Sequence, residues 1–382
     1  IWEHRAAYTV TGKILLSHMP LNIDPSNQHT GNGSDLVLEY NEPCNTLDED
    51  SRLREASSFD ALRLIQHSFD IAELHKHAIF IGGLFAYDLV ANFEPLGDAA
   101  QSNQCPDYVF YVAETLLVVD HQKQSCELQA ALFATDACKP ELTARIEEIS
   151  AACANLKTLP KAIPVADTHA EPSISDTDFC QIVRDLKEFV VKGDVFQVVP
   201  SRRFTLPCPS PLAAYKELKQ SNPSPYMFYM QDELFTLFGA SPESALKYET
   251  DTNQIEIYPI AGTRRRGKRP NGEIDFDLDS RIELELRTDM KENAEHMMLV
   301  DLARNDVARI AQAGTRHVAD LLKVDRYSHV MHLVSRVVGQ LREDLDALPA
   351  YPACSHMGTL TGAQKSRAMR RRRGGGGARR RD

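Results

Sequence analysis

The sequence predicts an α+β fold: long antiparallel strands with helices laid on one side of them. Three observations lead there. Apolar residues recur at helical spacing in some segments and alternate in others. β-Branched residues concentrate in the second kind, as in Val330 to Leu341. Successive strands are joined by short polar links such as His121 to Gln124. A doubly wound sheet would interpose a helix at each crossing.

The elements follow in order. Phe59 to Phe69 has apolar residues at helical spacing. Ala78 to Phe93 alternates loosely and reads as a strand, with Gly82 and Gly83 allowing a bend. Tyr108 to Asp120 and Ser125 to Phe133 read as an antiparallel hairpin. Pro140 to Leu156 reads as a helix, with Pro140 in its first turn. From Lys157 to Ser175 prolines recur among Ala, Thr and His, which marks a domain boundary.

Beyond it, Asp176 to Val191 is helical and Asp194 to Phe204 reads as a strand, broken by Pro207 to Pro211. Leu212 to Gln220 is a helix; Met227 to Gly239 and Ile255 to Ile260 are strands. Asp289 to Ala311 is an amphipathic helix, and Asp289 three residues before Glu292 resembles a capping box. Val330 to Leu341 closes the set as a strand. Arg370 to Asp382 is almost entirely Arg and Gly, which cannot bury a core. This yields three parts: 1–157, 175–369, and a tail of 370–382 that is non-native or disordered.

At 382 residues and 43% hydrophobic, the chain can build more than one core. Its net charge of -11 argues against nucleic-acid binding, which favours a basic face. No apolar run reaches the ~20 residues of a membrane span, and the start lacks a signal-peptide pattern. The eight cysteines are scattered and form no C-x-x-C. Free thiols in a reducing cytoplasm are the expectation.

Several residues carry chemistry. Glu295 shares a helix face with Met298, Leu299 and Leu302. A carboxylate among apolar neighbours suits a hard cation, because burying it unpaired is costly. Pairing with Arg304 is the plainer alternative. His332 lies in an apolar strand; its ordinary pKa of ~6.5 suits proton transfer near neutrality, although a hydrogen-bonded core histidine is the commoner case. Gly262 lets the backbone approach a ligand and Thr263 offers a hydroxyl. Gln197 is an uncharged amide that cannot serve as a base.

Pro259-Ile260-Ala261-Gly262-Thr263-Arg264, read with Lys291-Glu292 and Ala294-Glu295-His296 through Arg304-Asn305-Asp306, resembles the chorismate-utilising enzymes, and its wording is most similar to large subunits of anthranilate synthase. The likeness is dense from Gly193 to Lys365 and looser before it, with Arg265 and Gln364 standing where proline is usual. It implies the fold of that family, with 175–369 as the chorismate-binding domain. It implies that chorismate and ammonia give anthranilate and pyruvate, the first step of tryptophan biosynthesis. Glu295 would bind Mg²⁺, His332, Gln197 and Thr359 would be catalytic, and Gly262 and Thr263 would bind substrate. Pro225, Tyr226 and Met227 would line a feedback site for L-tryptophan.

Ammonia would come from a separate glutamine amidotransferase subunit in a hetero-oligomer, since no cysteine here sits in a Gly-x-Cys-x-Gly setting. Aminodeoxychorismate synthase is the nearest alternative. It usually carries Lys where this chain has Ala261, which cannot act as a nucleophile. The resemblance also implies a continuation past Met369 bearing a second Mg²⁺ glutamate. On that basis the chain is expected to be truncated at both ends and inactive as it stands. The third alternative is a fragment that only binds tryptophan or the amidotransferase.

Overall fold

The computed structural model describes residues 29–30, 37–38, 48–54, 59–67, 79–93, 106, 108–132, 139–155, 169–354 and 358–374. The chain forms two compact units. The first takes Ile1–Pro43, Glu55–Ala86 and Pro106–Leu159; the second takes Cys44–Arg54, Tyr87–Cys105 and Pro160–Asp382.

In the first unit, helix α1 spans Asp60–His67 and strand β1 spans Phe80–Phe85. β1 pairs antiparallel with β2, Tyr108–Ala113. β3, Thr115–Asp120, and β4, Ser125–Ala130, form the hairpin. The long strand expected over Ala78 to Phe93 ends at Phe85, and Tyr87–Asn92 turns as a 3₁₀-helix. Tyr108 to Asp120 likewise divides at Glu114 into two strands with different partners. Phe85 is the last paired residue, opposite Tyr108 at the start of β2, and its ring packs on Phe59 and Phe110, 5.2 and 4.7 Å between centroids. Helix α2, Lys139–Ala154, and a short antiparallel pair, His29–Thr30 with Val37–Leu38, also belong to this unit.

The second unit is the larger. Helix α3, Asp176–Val191, is capped by Ser175, whose Oγ accepts the Asp178 N–H. The strand expected over Asp194 to Phe204 shrinks to β5, Gln197–Val198, and a two-residue bridge at Phe204–Thr205. Pro200 lies between them and cannot donate to a ladder. After α4, Pro211–Ser221, the expected strand Met227 to Gly239 proves to be a hairpin. Its arms are β6, Tyr226–Gln231, and β7, Thr236–Ser241, around a turn where the Asp232 carboxylate accepts the Leu234 N–H.

The central sheet gathers β8 (Lys247–Glu249), β9 (Gln254–Ile257), β10 (Ile260–Arg265), β11 (His317–Arg326) and β12 (Val330–Gln340). β12 is central. β9 and β10 lie end to end along one edge of it and β11 lies along the other. The expected strand Ile255 to Ile260 is therefore two strands, and Gly262 and Thr263 lie inside the second rather than after it. Pro259 interrupts the ladder, though its carbonyl still accepts the Ser335 N–H at 3.0 Å.

Two helices cover the sheet. α5, Phe276–Thr288, is an element the periodicity did not reveal; its Leu286 packs on Met331 and Leu333. α6, Met290–Ile310, buries Val300, Ala303, Val307 and Ile310 against Ile255, Ile257 and Val337. That spacing is one helical stripe. Asp289 ends α5 with an extended backbone and caps α6, accepting the Lys291 and Glu292 N–H groups. No reciprocal capping box forms, because the Glu292 carboxylate turns instead to Arg264. α7 (Ala347–Cys354), α8 (Gly358–Thr361), β13 (Gly362–Ala363) and α9 (Lys365–Gly374) follow. α9 carries helix into the segment read as a tail; 375–382 lie outside the described residues.

Candidate active site

His332 stands on β12, between β10 and β11. Its Nδ1 meets the Thr263 hydroxyl at 2.9 Å. The Tyr327 ring packs edge-on against it, centroids 5.4 Å apart. Burial lowers the imidazole's pKa below its ordinary value, opposed in part by the Gly262 carbonyl and the Asp325 carboxylate. A neutral ring at pH 7 can take up a proton, as a general base must.

Gly262 is what lets Thr263 reach. Ala261 pairs with Leu333, but Thr263 pairs with His332, so Gly262 is an extra residue bulging out of the ladder. Its φ of +73° is costly for any residue with a Cβ. An added Cβ would also crowd Leu286 and Leu333, at 3.2 and 3.3 Å.

Glu295 lies on the second turn of α6. Gln197 donates its Nε2–H to the Glu295 carboxylate at 3.0 Å. Arg304, the alternative partner, is taken by Asp301. Among the described residues Glu295 has no ion pair. Gln197 is held by β5 pairing with β13, Ala363 opposite Gln197 and Gly362 opposite Val198. Gly362, at φ +116°, permits this approach, since a Cβ there would lie 2.2 Å from the Gln197 carbonyl oxygen. The Gln197 Oε1 is buried and accepts no hydrogen bond.

These oxygens bear on a metal. No group of three or more His, Cys, Asp or Glu among the described residues could hold an ion. A half-buried carboxylate without a cation, beside an unsatisfied amide oxygen, is nevertheless a hard-donor pair of the kind a divalent cation takes with waters completing its shell. The residues present thus fit part of a coordination shell.

Thr359 leads to a residue that sequence reasoning missed. Its hydroxyl donates to Glu243 at 3.4 Å. Burial pushes the Glu243 carboxyl up to about 7, and its Oε1 has no partner. Ser241 tucks it inward: its Oγ accepts the Glu243 N–H and donates to the Glu243 carbonyl. Glu243 faces a cavity of about 20 Å³ lined also by Leu299, Asp306, Cys354 and Thr359. That space holds about one water molecule. The only signal in the sequence is an acid placed just after a mostly apolar strand, which is weak. Asp306 pairs there with Lys365, the scaffold role its position on α6 suggests.

Gly262, Thr263 and His332 thus form one group, Gln197 with Glu295 a second, and Thr359 with Glu243 a third, the last two joined through the α8–β13 segment. Pro225, Tyr226 and Met227 stand apart on the β6–β7 hairpin, and no hydrogen bond or ion pair ties them to these groups. The Tyr226 phenol does couple electrostatically with Tyr258 and Tyr327. Cys126, Cys153, Cys180, Cys208 and Cys354 are free thiols. No described helix is long and apolar enough to cross a membrane.

Comparison with known proteins shows the family. The family model for chorismate binding enzymes matches residues 24–374. Anthranilate synthase component 1 of Vibrio parahaemolyticus is 79% identical over 95% of this chain and 67% of its own length. That of Escherichia coli is 59% identical over 87% of this chain and 64% of its own length. The crystal structure of anthranilate synthase component I from Streptococcus pneumoniae superposes with a TM-score of 0.68 at 26% identity, covering 92% of this chain and 75% of that one. The menaquinone-specific isochorismate synthase of Escherichia coli shares the fold, with a TM-score of 0.57 at 17% identity. The mixed helices and antiparallel sheets are those of this fold, and relatives named as a first component imply a second. The chain belongs to the chorismate binding enzymes, within the group of anthranilate synthase component 1 proteins.

Proposed function

We propose that the protein this chain represents, at the full length of its relatives, converts chorismate and ammonia to anthranilate and pyruvate, with 175–369 as its chorismate-binding domain and 1–157 as a separate N-terminal domain. Ammonia adds to the ring, the ring hydroxyl leaves, and the enolpyruvyl group is then eliminated as the ring becomes aromatic. The observation that carries this reading is the Glu243 carboxyl, buried with only the Thr359 hydroxyl beside it and so pushed up to about 7, in a chain whose His332 imidazole is lowered by burial and held by Thr263. A base and an acid tuned toward neutrality are what a proton loss and a hydroxide departure require.

Glu243 gives a proton to the departing hydroxyl, and its neighbour Thr359 orients the carboxyl. His332 takes the ring proton lost on aromatisation, with Thr263 fixing the ring. The Gly262 bulge leaves backbone room for the substrate. Glu295 and Gln197 would hold Mg²⁺, which when bound supplies positive charge for the substrate's carboxylate. Gln197, being neutral, does not activate water, and Ala261 offers no amine; both favour free ammonia as the nucleophile.

Ammonia reaches the site from a glutamine amidotransferase partner in a hetero-oligomer, and the pair works in the cytoplasm. L-Tryptophan binds beside Pro225, Tyr226 and Met227 as a feedback inhibitor. The reading is tested by incubating the protein with chorismate, ammonium and Mg²⁺ and identifying the product by mass and fluorescence. Anthranilate supports it; 4-amino-4-deoxychorismate would return the assignment to aminodeoxychorismate synthase.

A further inference from the structure

His296 is fully buried next to Glu295 in sequence, and its hydrogen bond runs to β12 rather than to Gln197 or Glu295. Its Nε2 lies 2.7 Å from the Ser335 hydroxyl. Ser335 is also fully buried, and its Oγ accepts the Leu322 N–H at 3.0 Å. The other ring nitrogen has no hydrogen bond of standard geometry; the group it faces is the Ala261 carbonyl. A hydrogen-bonded chain therefore runs from α6 through β12 to β11, with the Ala261 carbonyl of β10 facing its other end.

Both ends of that chain sit at bulges. Ala261 immediately precedes the Gly262 bulge in β10. Leu322 lies in the register shift of β11 between Asp320 and Lys323, with φ at +53°, a left-handed backbone that is strained for leucine. The bulges decide what flanks His332. Continuing the Ala261–Leu333 register would set Gly262 opposite His332. Continuing the Asp320–Arg336 register would set Val324 there. With the bulges, Thr263 and Asp325 are opposite His332 instead. Directly paired residues project on the same face of an antiparallel sheet. Two oxygen-bearing side chains thus replace a glycine and a valine beside the ring.

We infer that His296 and Ser335 are positioning residues that hold the two bulges and thereby set the hydrogen-bonding state of His332. With one Ser335 lone pair taken by Leu322, its second lone pair and its hydroxyl hydrogen both remain free for His296 Nε2, so either tautomer of His296 keeps the contact. This goes beyond the reaction proposed above and, in its kinetic consequence, rests on it.

The test uses Ser335→Ala and His296→Gln, with ¹⁵N-histidine labelling to read the His332 tautomer by long-range NMR. In the unaltered protein His332 holds one tautomer. In Ser335→Ala the two tautomers average. The kcat for anthranilate formation falls roughly 10- to 100-fold, because small displacements of a reacting group are costly, while KM for chorismate changes less than about twofold. His296→Gln keeps an amide near Nε2 and recovers part of that loss. A folded Ser335→Ala protein with an unchanged His332 tautomer and unchanged kcat overturns the inference. Should Ser335→Ala fail to fold, His296→Gln decides by the same two readouts. If the unaltered protein makes no anthranilate, the function proposed above fails, while the tautomer comparison still judges this inference.

Discussion

Helix α6 separates two carboxylate-rich regions that differ in one respect. Toward its start, Glu292 shares Arg264 with Glu285 and Asp289, at 3.0, 3.1 and 2.8 Å. Nearby, Asp279 is clamped by Arg266 and accepts the Gly267 N–H. One turn beyond Glu292, Glu295 meets only the Gln197 amide. At the cavity lined by Leu299 and Asp306 further along α6, Glu243 meets only the Thr359 hydroxyl. The first region neutralises its acids with guanidinium; in the second, Asp306 pairs with Lys365 but Glu295 and Glu243 are left to neutral donors. A half-buried acid without a cation is costly in the free protein. That cost is recovered if the acid later holds a metal or keeps a proton, so the second region is where chemistry is expected.

The contrast breaks most sharply at Glu295. Replacing it with Gln is expected to lower chorismate turnover on the order of 10³-fold, the worth of several kcal/mol of metal-assisted stabilisation. The unfolding midpoint stays the same, because no ion pair is lost. A variant that retains full turnover, or turnover that does not depend on the metal, would remove Glu295 from the site.

Asp279 should behave in the opposite way. Asp279→Ala strands Arg266, whose side chain is 13% exposed, and is expected to cost about 3–5 kcal/mol of stability. Urea unfolding reads that loss directly. The kcat of the folded fraction remains within about twofold. A large kcat loss with intact stability would erase the distinction between the regions.

Glu243→Gln should lower kcat by roughly 10²-fold, the ordinary worth of a general acid. It should also remove the alkaline limb of the kcat profile near pH 7. A pH–rate profile that keeps that limb assigns the acid elsewhere.

Much of this contrast was legible in the residues, and the illegible part has physical causes. The α6 stripe and its Asp289 cap were readable because helical spacing and capping are local. Glu295 and His332 stood out by their distinctive wording, and their roles are proposals. Strand ends were misjudged where one residue decides them. Pro200 and Pro259 interrupt ladders, the 232–235 turn folds one apolar run into two arms, and β1 ends at Phe85 because its partner strand begins opposite it, at Tyr108. The bulges were invisible because register depends on the neighbouring strand. α5 escaped because its exposed face carries Phe276 and Leu284, which blur the amphipathic pattern. Glu243 escaped because its character comes from burial and from Thr359, 116 residues later in the chain.

The smallest effect concerns stability against pH. The Glu243 carboxyl ionises at about 7 when folded and at its ordinary 4.5 when unfolded. Between these values the folded protein holds a proton that the unfolded chain has released, so stability falls as pH rises. The contribution is complete below pH 4.5 and is lost as pH rises through about 7. His296 and His332 act in the other direction. Burial lowers both, so the unfolded chain binds the extra protons and stability rises with pH from below 6.5. The two trends overlap in the wild-type protein, and Glu243→Gln separates them. Relative to that variant, wild type should lose about 1–3 kcal/mol between pH 4.5 and 8. Urea midpoints for both proteins across that range measure the difference. Parallel curves would mean that Glu243 is already ionised in the folded protein at pH 5, and the acid role proposed for it would go with them.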